Sequence, residues 1–140
     1  MVKYITREVT EEMNFIDHAI SEITNGEDFV QAMADIYEYP EVRGELEKYP
    51  SWIKNIITII DYDTELGMDG LDLKSYADVI EALNEIGLIE EAEVLRDYNN
   101  DISEENAEKC YVRLAINNDY DAFGNKVYAY ADENISDIKG

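Results

Sequence analysis

The chain has 140 residues, 46 % of them hydrophobic, with 33 acids against 11 bases and a formal net charge of -22. That length fits one domain with its own core, and the hydrophobic share excludes a disordered acidic tail. The charge excludes direct binding to nucleic acid or to an anionic membrane, both of which need a basic surface, and makes a basic partner the expectation.

Ile5, Val9, Met13, Ile16, Ile20 and Ile23 recur at spacings of three and four, the pattern of a helix with one buried stripe. Asn25-Gly26 reads as the left-handed stop that follows a helix. Glu27 to Tyr39 repeats the pattern with Phe29 or Val30, Met33, Ile36 and Tyr37 on one side, and Pro40 interrupts it. Residues 40–49 read as a short exposed helix weakened by Gly44.

Ser51 is placed to cap the next helix, whose body carries Trp52, Ile53, Ile56, Ile57, Ile59 and Ile60. Its apolar residues cover more than one face, which puts it at the centre of a bundle. The β-branched content makes a strand the competing reading, and the 53/56/57/60 spacing favours a helix. An acidic, glycine-containing turn is expected over Asp61–Asp72. Leu73, Tyr76, Ile80 and Leu83 then form a stripe that Gly87 closes, and Ile89, Ala92 and Leu95 form the stripe of the following helix. So short a connection implies an antiparallel hairpin.

Asn99-Asn100-Asp101 breaks the pattern, and Ser103 restarts it as an N-cap with Glu104 and Glu105 in the first turn. Ala107, Cys110, Tyr111 and Leu114 point inward, and Asn117-Asn118-Asp119 marks another turn. Tyr120 to Ile135 is a last helix with Phe123, Val127 and Tyr130 or Ala131 inward. The expectation is an all-α, compact single-domain bundle of about seven or eight helices.

No phosphate-cradling glycine loop, G-x-S-x-G or H-E-x-x-H motif is present, and neither catalysis nor a cofactor is expected. His18 is the only histidine and reads as a boundary residue one position from the first apolar stripe. Cys110 is the only cysteine, so an intrachain disulfide or a cysteine metal cluster is out of reach. On a buried stripe it reads as a small core residue rather than a nucleophile. No apolar run has the length of a signal-peptide core or of a membrane span, so a cytoplasmic protein is expected. Nothing in the pattern sets an oligomeric state.

Asp61, Asp63, Glu65, Asp69 and Asp72 fall on a calcium-loop template. Leu66 stands where its sharp turn needs glycine, and Asp72 is shorter than the bidentate glutamate that closes such loops. An acidic helix–helix turn is the expectation there, with weak calcium binding as the minor alternative.

The other carboxylates are periodic. Asp78, Glu81 and Glu85 lie opposite the buried stripe of one helix, Glu90, Glu93 and Asp97 do so on its partner, and Glu104 with Glu108 continues on the next. Like charges so placed repel, and the excess is far beyond the net charge of roughly 2–8 that solubility needs. A compact domain of this length spans about 35–40 Å, over which duplex DNA carries about 22 charges. The chain matches that linear charge density, so these eight carboxylates are the candidate partner-binding residues.

From Glu65 onward, about half of the chain resembles a bacterial domain-of-unknown-function family that includes a DNA-mimic protein. The segments that carry the resemblance are ELGMDGL, ALNEIGLIEEAEVL and CYVRLAINNDYDAFGNKVYAYADENI. Here Met68-Asp69 precedes Gly70 where the family has asparagine and a second glycine, Leu71 replaces its aromatic residue, and the segment between Tyr98 and Glu108 is shorter. The resemblance implies an all-α fold without catalysis, in a family whose mimic binds a transcription regulator in place of DNA.

The expected function is therefore an acidic module that occupies the nucleic-acid-binding surface of a basic partner such as a transcription regulator. The alternatives are an immunity protein neutralising a basic toxin, and an acidic domain without a charge-based role. An enzyme with paired carboxylates is disfavoured because no spacing singles out a pair.

Overall fold

A computed structural model of the protein describes residues 14–22 and 25–139. Among these the regular structure is entirely helical. The elements in chain order are α1 (Phe15–Ser21), α2 (Gly26–Met33), two 3-10 segments (Ala34–Tyr37 and Pro40–Lys48), α3 (Ser51–Asp69), α4 (Ala77–Ile86), α5 (Ile89–Asn100), α6 (Glu104–Tyr111), α7 (Ala115–Asn118) and α8 (Tyr120–Lys139). The all-α architecture is the one expected. Ile5, Val9, Met13 and Ile23 of the first stripe lie outside the described residues.

Two apolar clusters make the core, and two long helices carry both. Trp52, Ile53, Ile56 and Ile57 of α3 pack with Ile16, Phe29, Met33 and Ile36, together with Ala131 and Ile135 of α8. Further along, Ile59, Tyr62 and Leu66 of α3 pack with Leu83, Leu95, Tyr98 and Leu114, together with Phe123 and Val127 of α8. The central place expected for the isoleucine-rich helix is the one it takes.

That helix runs further than expected. The acidic stretch read as a turn over Asp61–Asp72 is helical through Asp69. Tyr62 and Leu66 extend the Ile59 stripe at i+3 and i+7 and are buried. Burying each contributes roughly 1.5–3 kcal/mol, against a cost of about 1 kcal/mol for Gly67 inside a helix. Burial wins, and the helix ends only at Gly70, whose φ is +72°. The start also differs: Ser51 is the first helical residue rather than the cap, and Pro50 precedes it without a side-chain cap.

Asn25-Gly26 opens a helix instead of stopping one. The Asn25 side chain accepts from the Asp28 N–H at 2.8 Å, and the acids Glu27 and Asp28 of the first turn suit the positive end of the helix dipole.

Three expected core positions are on the surface. Tyr37 is 48 % exposed, because the three-residue period of its 3-10 turn points Ile36 inward and turns its neighbour out. Leu73 is 60 % exposed, because α4 begins only at Ala77 and a helical spacing from residue 73 has no helix to act on. Ile89 is 49 % exposed, since the buried stripe of α5 runs through Leu88, Ala92, Leu95 and Tyr98.

The stop at Gly87 is as expected. Its φ of +98° lets its N–H reach Asn84 O at 3.2 Å and the Leu88 N–H reach Leu83 O at 2.8 Å, a Schellman closure. Open space surrounds Gly87, so Gly87→Ala meets only backbone strain and is expected to cost about 1 kcal/mol in urea unfolding. Ser103 also caps as expected, accepting from the Asn106 N–H at 3.2 Å.

Candidate functional site: an acidic helical face

The turn at Gly87 folds α5 back along α4, with Leu83, Ile86, Leu88, Ala92 and Leu95 buried between them and α3. The opposite faces carry charge. Asp78, Glu81 and Glu85 of α4, Glu90, Glu93 and Asp97 of α5, and Glu104 and Glu108 of α6 are all exposed. Between Lys74 and Arg96 the chain has no basic residue. Acids three and four apart on one helix stand about 6 Å from each other, so each triplet concentrates negative potential that apolar packing must hold together.

The eight do not form one uniform patch. Asp97 is paired with Arg113 at 2.9 Å. Asp78 lines an open cleft of about 430 Å³ together with Asp61, Glu65 and Lys74. Glu104 and Glu108 line a second groove, of about 420 Å³, against Leu71, Asp72 and Leu73. Glu81, Glu85, Glu90 and Glu93 remain on the exposed faces of the hairpin itself.

The acids of the calcium template are dispersed along α3 and its C-terminal side, and three of them have partners. Arg43 holds Asp61 with two bonds of 2.8 Å, and the Tyr37 hydroxyl donates to the same carboxylate at 2.5 Å. Burial pushes the Asp61 carboxyl up, but Arg43 and Tyr37 outweigh it and hold the group below its ordinary value. Tyr120 donates to Asp63 at 2.8 Å, and that bond together with burial pushes the phenol up to about 12. Lys74 pairs with Glu65 at 2.7 Å. These contacts tie the 3-10 segments, the 70–76 loop and α8 to α3, and no three acids, histidines or cysteines gather as a metal site among the described residues.

One carboxylate that pattern reading passed over is buried and fully engaged. Glu91 of α5 is 1 % exposed. It accepts from the Tyr62 hydroxyl at 2.8 Å, the Ala115 N–H at 2.5 Å and the Ile116 N–H at 3.4 Å. It thereby joins α3 and α5 and supplies the short α7 turn with an acceptor that its own sequence lacks. Burial pushes the carboxyl above its ordinary value, outweighing the three donors that pull it down. The signal was available, since position 91 lies three residues after Leu88 and four before Leu95, within the buried stripe.

His18 is half-buried on α1. Cys110 is buried, its Sγ 3.8 Å from Asn106 Oδ1, and burial pushes its thiol up. No helix among the described residues is long and apolar enough to cross a membrane. Comparisons with family models, curated proteins and solved structures return no match to this chain.

Proposed function

We propose that this protein is an acidic protein-binding module whose carboxylates take the place of nucleic-acid phosphates on the surface of a basic partner such as a DNA-binding regulator. The observation that carries this reading is the hairpin α4–α5. Its exposed acids Asp78, Glu81, Glu85, Glu90 and Glu93 face solvent over a stretch that contains no lysine or arginine. By contrast Asp61 on α3 is paired with Arg43 and Glu65 with Lys74, and at the far end of α5 Asp97 is paired with Arg113. An unmatched field of this kind costs stability through self-repulsion. In return it draws a basic partner quickly, because steering raises association rates by about 10–1,000-fold at low salt.

The test is affinity capture from the native cell at low salt, followed by a salt gradient and a challenge with duplex DNA. A DNA-binding protein released by both agents supports the reading. Retained proteins that lack a nucleic-acid-binding surface sink it, and a basic toxin that duplex does not displace moves the function to toxin neutralisation. With the partner in hand, replacing Glu81, Glu85, Glu90 and Glu93 together by glutamine is expected to slow association about tenfold or more at low salt and to flatten its salt dependence. Stopped-flow mixing over a salt series measures both.

A further inference from the structure

The second groove combines features that the hairpin lacks. It lies between the loop after α3 and the N-terminal half of α6. Leu71 and Ala107 are partly buried there against the core, and Leu73 stands 60 % exposed at its edge. Asp72, Glu104, Glu105 and Glu108 complete the lining. The one lysine of α6, Lys109, is engaged by Glu105 at 3.6 Å. The surface is thus an open groove in which Leu71, Leu73 and Ala107 lie among carboxylates on both walls.

The loop wall is built rather than loose. Gly70 adopts φ +72°, in the left-handed region that favours glycine, and it lies beside the Tyr111 ring of α6. The Asp72 N–H donates to the Tyr76 hydroxyl at 2.8 Å, and the Tyr98 hydroxyl donates to the Asp72 carbonyl at 2.7 Å. Lys74 closes the segment onto Glu65. Tyr76 and Tyr98 are themselves buried, with rings 6.1 Å apart. A wall fixed by core side chains is already ordered before anything binds, so association does not have to meet that cost.

We propose that this groove receives a segment of a protein partner in which one aliphatic side chain is flanked by lysine or arginine. Charge complementarity decides the occupant: the aliphatic group covers Leu73 and Leu71, and the flanking cations meet Glu104 and Glu108 on one wall and Asp72 on the other. A purely acidic segment would place like charges together, and a purely apolar one would bury those carboxylates unpaired. The inference rests on the protein-binding reading above and deepens it. It adds an apolar anchor, the kind of contact that holds a complex after charge has steered it.

Random peptides displayed on phage and selected against the whole protein at physiological salt give the test. Enriched peptides should carry an aliphatic residue between basic ones. Their affinity should fall about tenfold for Leu73→Ser and for the pair Glu104→Gln with Glu108→Gln. These are surface positions, and an unchanged circular dichroism spectrum verifies the fold. Peptides of another composition, or equal affinity for both variants, overturn the proposal. The natural partner separates this idea from DNA mimicry. Release by the groove variants without competition by duplex leaves the groove standing and removes mimicry, whereas release by the hairpin variants alone removes the groove.

Discussion

Glu91→Ala is expected to destabilise the fold by about 3 kcal/mol at neutral pH, with urea unfolding as the measurement. Truncation leaves the buried Tyr62 hydroxyl and the Ala115 and Ile116 N–H groups without the acceptor they share. Each such orphan costs about 1–3 kcal/mol, offset in part because the carboxylate no longer has to be desolvated. Glu91→Gln separates hydrogen bonding from charge. Its amide oxygen can accept from the Ala115 N–H while its NH2 donates to the Tyr62 hydroxyl, which gives up only the long Ile116 bond, so a loss of about 1 kcal/mol is expected. The sign of the pH effect follows from burial. The folded carboxyl titrates above its unfolded value, so the folded state holds the proton more tightly. Stability therefore falls as pH rises from the ordinary carboxylate range through the raised folded value. Wild type should gain on Glu91→Gln when the pH is lowered from 8 towards about 5. A gap that does not change with pH would show that Glu91 is buried without a raised pKa.

Gly26→Ala is expected to cost about 3 kcal/mol, at the upper end of overpacking losses. A Cβ there would overlap the Tyr128 carbonyl oxygen of α8 and lie 2.8 Å from the Asp132 N. Both are backbone atoms, so relief requires α2 and α8 to move apart. That motion would also strain the 2.5 Å bond from the Gly26 N–H to Asp132 Oδ1. Gly67→Ala in α3 makes the opposite case. Nothing lies within 4 Å of the position, and the added methyl only removes freedom from the unfolded chain. A gain of about 0.5–1 kcal/mol is expected. Thermal unfolding of the two variants beside the wild type reads both signs at once. A neutral Gly26→Ala would mean that the helices do not approach as closely as described.

Helical periods of three and four determined the all-α class, the isoleucine-rich central helix, the stop at Gly87 and the cap at Ser103. They also placed eight acids on exposed faces, because a residue opposite a buried stripe faces water wherever the stripe is covered. These properties are local, set by the spacing within one helix and the chemistry at its ends. What lay beyond the sequence depended on a distant partner. Asp61–Asp69 is helical because other helices cover Tyr62 and Leu66, a gain that composition could not reveal in a stretch rich in acids and glycine. Leu73 is exposed because no helix begins until Ala77. Asn25-Gly26 reads equally as an end or a beginning until α8 crosses at Gly26. Glu91 looked like one more acid, and only the fold brings Tyr62 and the start of α7 to it. Periodicity tells which side of a helix is apolar; where a helix stops, and which charge is buried, is decided by what the rest of the chain brings against it.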